Sequence, residues 1–166
     1  MKKPASLRKH LAAAIPELKR DPDKLQVFID SGKIVATGTR SLSFEYRFTL
    51  HLLITDYRGS ADAIMVPIVA WLKIHQPELT ANATEREKAF RFEVDMLNHE
   101  TCDIAIDLDL TERVVVTQKP VAGGRVRLQA DHAAEPQATP PYGDPGWDLY
   151  DGDDLLAEWV VPPEIR

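Results

Sequence analysis

A single cysteine, Cys102, stands among 166 residues, so no internal disulfide framework can form and a reducing compartment is the natural setting. No apolar run approaches the ~18 residues that a membrane-crossing helix needs, which argues against a membrane partner. The basic start, Met1 to His10, lacks the continuous apolar stretch of a secretion leader. Motifs of catalysis are missing as well. There is no Gly-x-Ser-x-Gly elbow, no phosphate-cradling Gly-x-x-x-x-Gly-Lys-Ser/Thr and no His-Glu-x-x-His. At 44% hydrophobic and 28% charged residues, the chain is neither disordered nor membrane-like, and its length suits one domain with a real core.

What is present is charge, and it is unevenly placed. The formal net charge is −6. Residues 1–20 carry Lys2, Lys3, Arg8, Lys9, Lys19 and Arg20 against Glu17, a net +5. Residues 129–166 carry nine acidic side chains against Arg166, a net −8. Such segregation concerns partners and association more than fold, and opposite ends suit head-to-tail contacts between identical subunits.

Hydrophobic periodicity supplies the elements. Pro4, Leu7, Leu11, Ala14, Ile15 and Leu18 predict an amphipathic helix that ends or kinks near Ala14, ahead of Pro16. Leu25–Ile29 and Lys33–Thr37 around Asp30-Ser31-Gly32 suggest a short hairpin. Leu42, Phe44, Tyr46, Phe48, Leu50, Leu52 and Ile54 alternate with mostly polar neighbours, the mark of a long strand with one buried face. A helix is predicted near 60–75, with Pro67 forcing a kink or a start nearer Met65, and Gln76-Pro77 closing it. Strands near 89–97 and 102–117 read as an antiparallel hairpin turning at Asn98-His99-Glu100-Thr101.

From 118 to 146 the character changes to five prolines and four glycines, with only Arg125-Val126-Arg127-Leu128 strand-like. The stretch reads as an extended linker, and Gly123-Gly124 as two glycines within it. Beyond it, Trp147-Asp148-Leu149-Tyr150, an Asp-Gly turn and Leu155 to Val161 form a hairpin pattern. The expected fold is therefore α+β. A mainly antiparallel sheet with one or two packed helices fills 1–117, a Pro/Gly-rich linker spans 118–146, and an aromatic hairpin occupies 147–166. An isolated hairpin is marginal in water, so this one is expected to dock through Trp147 and Trp159 on its own body or a neighbouring chain.

Candidate chemistry is sparse. His99 and Cys102 would need two further ligands to hold zinc, and the free thiol reads instead as a small buried hydrophobe. Asp103, Asp107 and Asp109 share one side of a strand. They could bind a divalent cation for a metal-dependent enzyme, but a solvated or partner-facing strand face is the preferred reading. Asp151-Gly152-Asp153-Asp154 lacks the spaced ligands of a calcium loop. Lys2, Lys3, Arg8 and Lys9 could meet phosphates in a nucleic-acid-binding accessory. Overall acidity, and aromatics that do not interleave with the basic residues, weigh against it.

Taken in order, several segments resemble one family. They are Pro4-Ala5-Ser6-Leu7-Arg8, Ser41-Leu42-Ser43-Phe44-Glu45, Ile54-Thr55-Asp56, Val66-Pro67-Ile68-Val69-Ala70-Trp71-Leu72, Gln76-Pro77 and Leu110-Thr111-Glu112-Arg113. Leu149-Tyr150-Asp151-Gly152 with Trp159 completes the set. Together these resemble the tail completion protein R (GpR) family of contractile-tailed, Peduovirus-type temperate phages, over most of residues 4–117 and the terminal hairpin. The resemblance implies a structural, non-enzymatic tail component without a cofactor, needed for tail completion and head joining. It implies assembly in the host cytoplasm, a place at the neck of the virion tail, and a ring-like homo-oligomer. Tail tube or terminator proteins and head connector proteins would be the partners. On this reading Trp147, Leu149, Tyr150, Leu155 and Trp159, with Lys2, Lys3, Arg8 and Lys9, would bind partners.

Overall fold

The alternating runs at 44–57 and 102–121 pair with each other and form the spine of the molecule. A computed structural model describes residues 1–36, 38, 40–81, 87–97, 100–133 and 146–160. The elements are α1 (Lys3–Ala14), α2 (Pro16–Arg20), β1 (Leu25–Phe28), β2 (Gly32–Ala36), β3 (Phe44–Tyr57) and α3 (Asp62–His75). They continue with α4 (Pro77–Ala81), β4 (Phe90–Met96), β5 (Cys102–Val121), β6 (Arg125–His132), β7 (Gly146–Asp151) and β8 (Asp154–Val160). The result is α+β. Among the described residues no helix is long and apolar enough to cross a membrane.

β3 and β5 run antiparallel from Phe44↔Val114 to Tyr57↔Cys102. The even-numbered side chains Leu50, Leu52, Ile54, Ile104, Ile106 and Leu108 all fall on one face and are at most 1% exposed. Helices α1 and α3 cover that face with Leu7, Leu11, Ile64, Ile68 and Trp71, each fully buried. The register shifts at Asp56, whose φ of 51° is tolerated by an Asp in a bulge. Its N–H donates to Asp103 Oδ1 at 2.9 Å, and its carbonyl accepts from Lys24 Nζ at 2.7 Å.

Local chemistry explains the helix ends. Ile15 is extended (ψ 116°) because a proline follows it, and this separates α1 from α2. Pro67 lies inside α3, which nevertheless starts at Asp62 rather than nearer Met65. Its buried ring packs in the core, and its carbonyl accepts a hydrogen bond from His10 Nε2 at 3.1 Å. A carbonyl can only accept, so His10 carries its proton on Nε2.

Two sequence expectations change. β1 and β2 do not form a hairpin with each other. Both pair with β3 on one edge, β1 along 51–54 and β2 along 44–48. Gly32 serves close approach rather than chain reversal, since a Cβ there would stand 3.2 Å from Phe48 Cβ and 3.3 Å from the Arg47 carbonyl. The stretch expected as linker is also structured in its first half. β5 runs on to Val121 and returns as β6, paired from Val121↔Arg125 to Val114↔His132. Gly123 and Gly124 make the turn with φ of 80° and 73°, a conformation glycine adopts without strain. The rest of that stretch, 134–145, lies outside the described residues, as do residues 161–166, His99 and Asn98.

β4 pairs with β5 from Phe90↔Leu108 to Met96↔Cys102, the expected hairpin. β4 and β6 thus lie end to end on the edge of β5 away from β3, since Val114 pairs with both Phe44 and His132.

Candidate protein-docking surfaces

The C-terminal hairpin β7–β8 turns at Gly152 (φ 58°) and pairs Trp147 with Trp159 and Leu149 with Ala157. Those side chains face the body. Ala157 is fully buried, Trp159 is 8% exposed and belongs to the central core, and Trp147 and Leu149 pack against it. Trp159 meets the His10 ring edge-on at 6.2 Å and lies 5.8 Å from Trp147. The hairpin expected to dock therefore docks on α1 of its own chain, leaving a cleft of about 500 Å³ between Lys9, His10, Trp147 and Trp159. Tyr150 and Leu155 sit opposite each other and point outward, 54% and 45% exposed.

This docking alters the charge reading. Lys9 on α1 and Asp148 and Glu158 on the hairpin line the same cleft, so the basic and acidic ends of the chain meet within one subunit. Arg8 and Lys9 are exposed, but Lys3 is only 2% exposed. Its Nζ donates to Gln76 Oε1 at 2.6 Å, and Gln76 Nε2 donates to Thr111 Oγ1 at 2.8 Å. The Lys2 N–H donates to both oxygens of Glu112 at 2.7 and 2.9 Å, and the Lys3 N–H to Oε2 at 3.1 Å. A buried carboxylate thus holds the positive end of the helix dipole. Glu112 Oε1 also lies against His132 Nδ1, so one knot joins the start of α1 to the root of the β5–β6 ribbon. Lys3 is a structural cation, not the surface one its position suggested.

The acidic row on the outer face is likewise committed internally. Thr49 Oγ1 donates to Asp109 Oδ1 at 2.6 Å, and His51 Nδ1 lies 2.7 Å from Asp107 Oδ1. Arg91 Nη1 donates to Asp109 Oδ2 at 2.8 Å. Burial works to raise the Asp109 pKa, but the hydrogen bonds from Arg91 and Thr49 outweigh it and hold the carboxyl below its ordinary range. Burial, with Asp103 and Glu17 nearby, pushes the Cys102 thiol up, which disfavours the thiolate that a nucleophile or metal ligand requires. Among the described residues no group of three His, Cys, Asp or Glu side chains is disposed to hold a metal ion.

Two surfaces escaped the sequence reading. The β5–β6 ribbon is exposed along nearly its whole length, and β4 is a sheet edge whose Phe92 and Met96 are 60% and 73% exposed. The signal for the ribbon was Gly123-Gly124 between two strand-like runs, which is hairpin chemistry. The signal for the edge was the alternation of Phe90, Phe92, Val94 and Met96 with polar and charged residues.

Comparison with known proteins agrees with the resemblance in the sequence. Residues 1–136 match the model of the family described as P2 phage tail completion protein R (GpR). The tail completion protein R of Escherichia phage P2 is 38% identical over 159 residues, covering 96% of this chain and 99% of that protein. No solved structure matches the chain. With the family model matched over residues 1–136 and a relative colinear over nearly its full length, the chain belongs to the phage P2 tail completion protein R (GpR) family.

Proposed function

We propose that the chain is the tail completion subunit of a contractile-tailed phage or prophage. It acts at the head-proximal end of the tail and is needed for stable joining of head to tail. It works by protein–protein contact rather than catalysis. The single observation that carries this reading is the 38% identity to the P2 tail completion protein R over 96% of the chain. The internal pairing of the Asp103, Asp107 and Asp109 row supports a structural role over a metal-dependent enzyme. Burial of Lys3 weakens the four-residue basic patch that a nucleic-acid accessory would use.

On this reading the subunit assembles in the host cytoplasm and ends in the neck of the virion. It meets tail tube or terminator proteins on one side and head connector proteins on the other, and it forms a ring with copies of itself. The exposed Tyr150, Leu155, Arg8 and Lys9, with the half-buried Lys2, are the members of the predicted contact set that remain available to those partners. Trp147, Leu149, Trp159 and Lys3 support them from within the subunit.

Stopping translation of this chain in the genome that encodes it tests the proposal. Electron micrographs of the lysate should then show full heads and separate tails, with infectivity restored when the chain is supplied in trans. Normal joined particles made without the chain would overturn the reading.

A further inference from the structure

The ribbon and the β4 edge are complementary on both of their faces. In an antiparallel pair directly opposed residues share a face, so parity along each strand sorts the side chains. On β6 the even positions Val126, Leu128 and Ala130 lie on the same side as the core residues of β5, and the odd positions Arg125 and Arg127 on the other. Val126 and Leu128 are 56% and 54% exposed, beyond the cover of the helices. With Lys119 opposite Arg127, the outer face of the ribbon is basic. β4 repeats the arrangement with the opposite charge. Phe92, Val94 and Met96 lie on the core side, next to Ile106, Ile104 and Cys102, while Glu93 and Asp95 lie on the outer side with Arg91, whose guanidinium is paired to Asp109.

Both strands also carry unused backbone. Among the described residues β4 and β6 each pair only with β5, so each presents a row of unpaired N–H and C=O groups. A two-stranded ribbon standing alone in water is marginal, and an exposed apolar edge of this kind is a template for strand addition.

We infer that the β5–β6 ribbon of one copy lies along the β4 edge of a second copy of this chain, continuing the sheet from subunit to subunit. This deepens the self-assembly within the proposed tail role and rests on that reading. With core sides aligned, Val126 and Leu128 cover Phe92, Val94 and Met96 of the neighbouring copy. Arg125 and Arg127 face Glu93 and Asp95. A face-flipped docking would set charge against the apolar row, so the pattern selects one orientation. Because ribbon and edge are different surfaces, each copy can give its ribbon to one neighbour and take the ribbon of another. That heterologous contact closes into a ring when the rotation permits.

The test is charge reversal on the full chain, read as mass by light scattering after size exclusion. The wild-type chain at ~100 µM should run above its monomer mass. Arg125→Glu with Arg127→Glu, and separately Glu93→Arg with Asp95→Arg, should each shift the dissociation midpoint at least tenfold towards monomer while circular dichroism stays unchanged. Mixing the two variants, or combining all four changes in one chain, should restore association. Three results would overturn the inference. One is a wild-type chain monomeric at that concentration, and a second is reversed variants that associate as wild type does. The third is a ribbon that captures a different tail protein while the chain alone stays monomeric. Trans-complementation of infectivity by the wild-type gene is scored separately. A chain that completes tails yet never self-associates fails this inference and leaves the tail role standing.

Discussion

Glu112 is a buried carboxylate that ties the start of α1 to the sheet. It is 3% exposed, accepts from the first two N–H groups before and inside α1, and lies against His132 at the ribbon root. Glu112→Ala removes the acceptor those donors share, a loss of about 1–3 kcal/mol, read as a lowered urea midpoint. His75 gives a pH signature. It lies against Trp71 with 4.6 Å between ring centres, and burial, then Lys3 and His10, lower its pKa to about 4. The unfolded chain binds that proton near pH 6.5, so unfolding takes up protons between the two values. Stability should be full above pH 6.5 and fall as the pH drops towards 4, by about 3 kcal/mol in all at roughly 1.4 kcal/mol per unit. Urea midpoints measured at pH 7, 5.5 and 4 should slope less steeply in His75→Asn. Burial lowers His10 in the same direction, so some slope should remain. Neither residue could be singled out from the sequence, because burial of a polar group is decided by which element comes to cover it.

The elements divide by how local their causes are. β3 and β5 were legible because period-two alternation over Leu42 to Ile54 and Cys102 to Leu110 can only bury one face of a strand. The break between α1 and α2 was legible at Pro16 for an equally local reason. The partners of β1 and β2 were not, since Gly32 near a turn-like Asp-Ser suggests reversal until Phe48 is seen against it. The ribbon was misread for a related reason, as Pro120 and Gly123-Gly124 share their composition with a linker. If the two glycines make the turn, Gly123→Ala with Gly124→Ala should strain positive φ at both positions and cost roughly 1–2 kcal/mol each. Amides of 117–130 should then exchange faster with deuterium while those of β3 do not change. The C-terminal hairpin shows the same limit in reverse. Its existence was plain in the Asp-Gly turn, but its docking on α1 was not. Trp159→Ala should destabilise the whole chain by about 3–5 kcal/mol, whereas Tyr150→Ser with Leu155→Ser should change stability by no more than about 0.5 kcal/mol per substitution. Calorimetric melting of the two variants distinguishes an internal anchor from an outward surface.

At the scale of the whole molecule, the fold is a sheet covered on one face by helices and hairpin, with its outer acidic row engaged by Thr49, His51 and Arg91. What is left uncovered is a ribbon, an edge and the outward side of the hairpin, which are features of a subunit that binds protein. Part of the charge segregation in the sequence meets within one subunit, where Lys9 of α1 shares a cleft with Asp148 and Glu158 of the hairpin, and a second, less visible segregation lies between β6 and β4. The place proposed for this chain is the junction of head and tail. Gold labelling of an epitope-tagged chain in intact particles tests it most directly. Label at the head-proximal end of the tail is the predicted result. Label on the capsid shell, along the sheath or at the baseplate would contradict it.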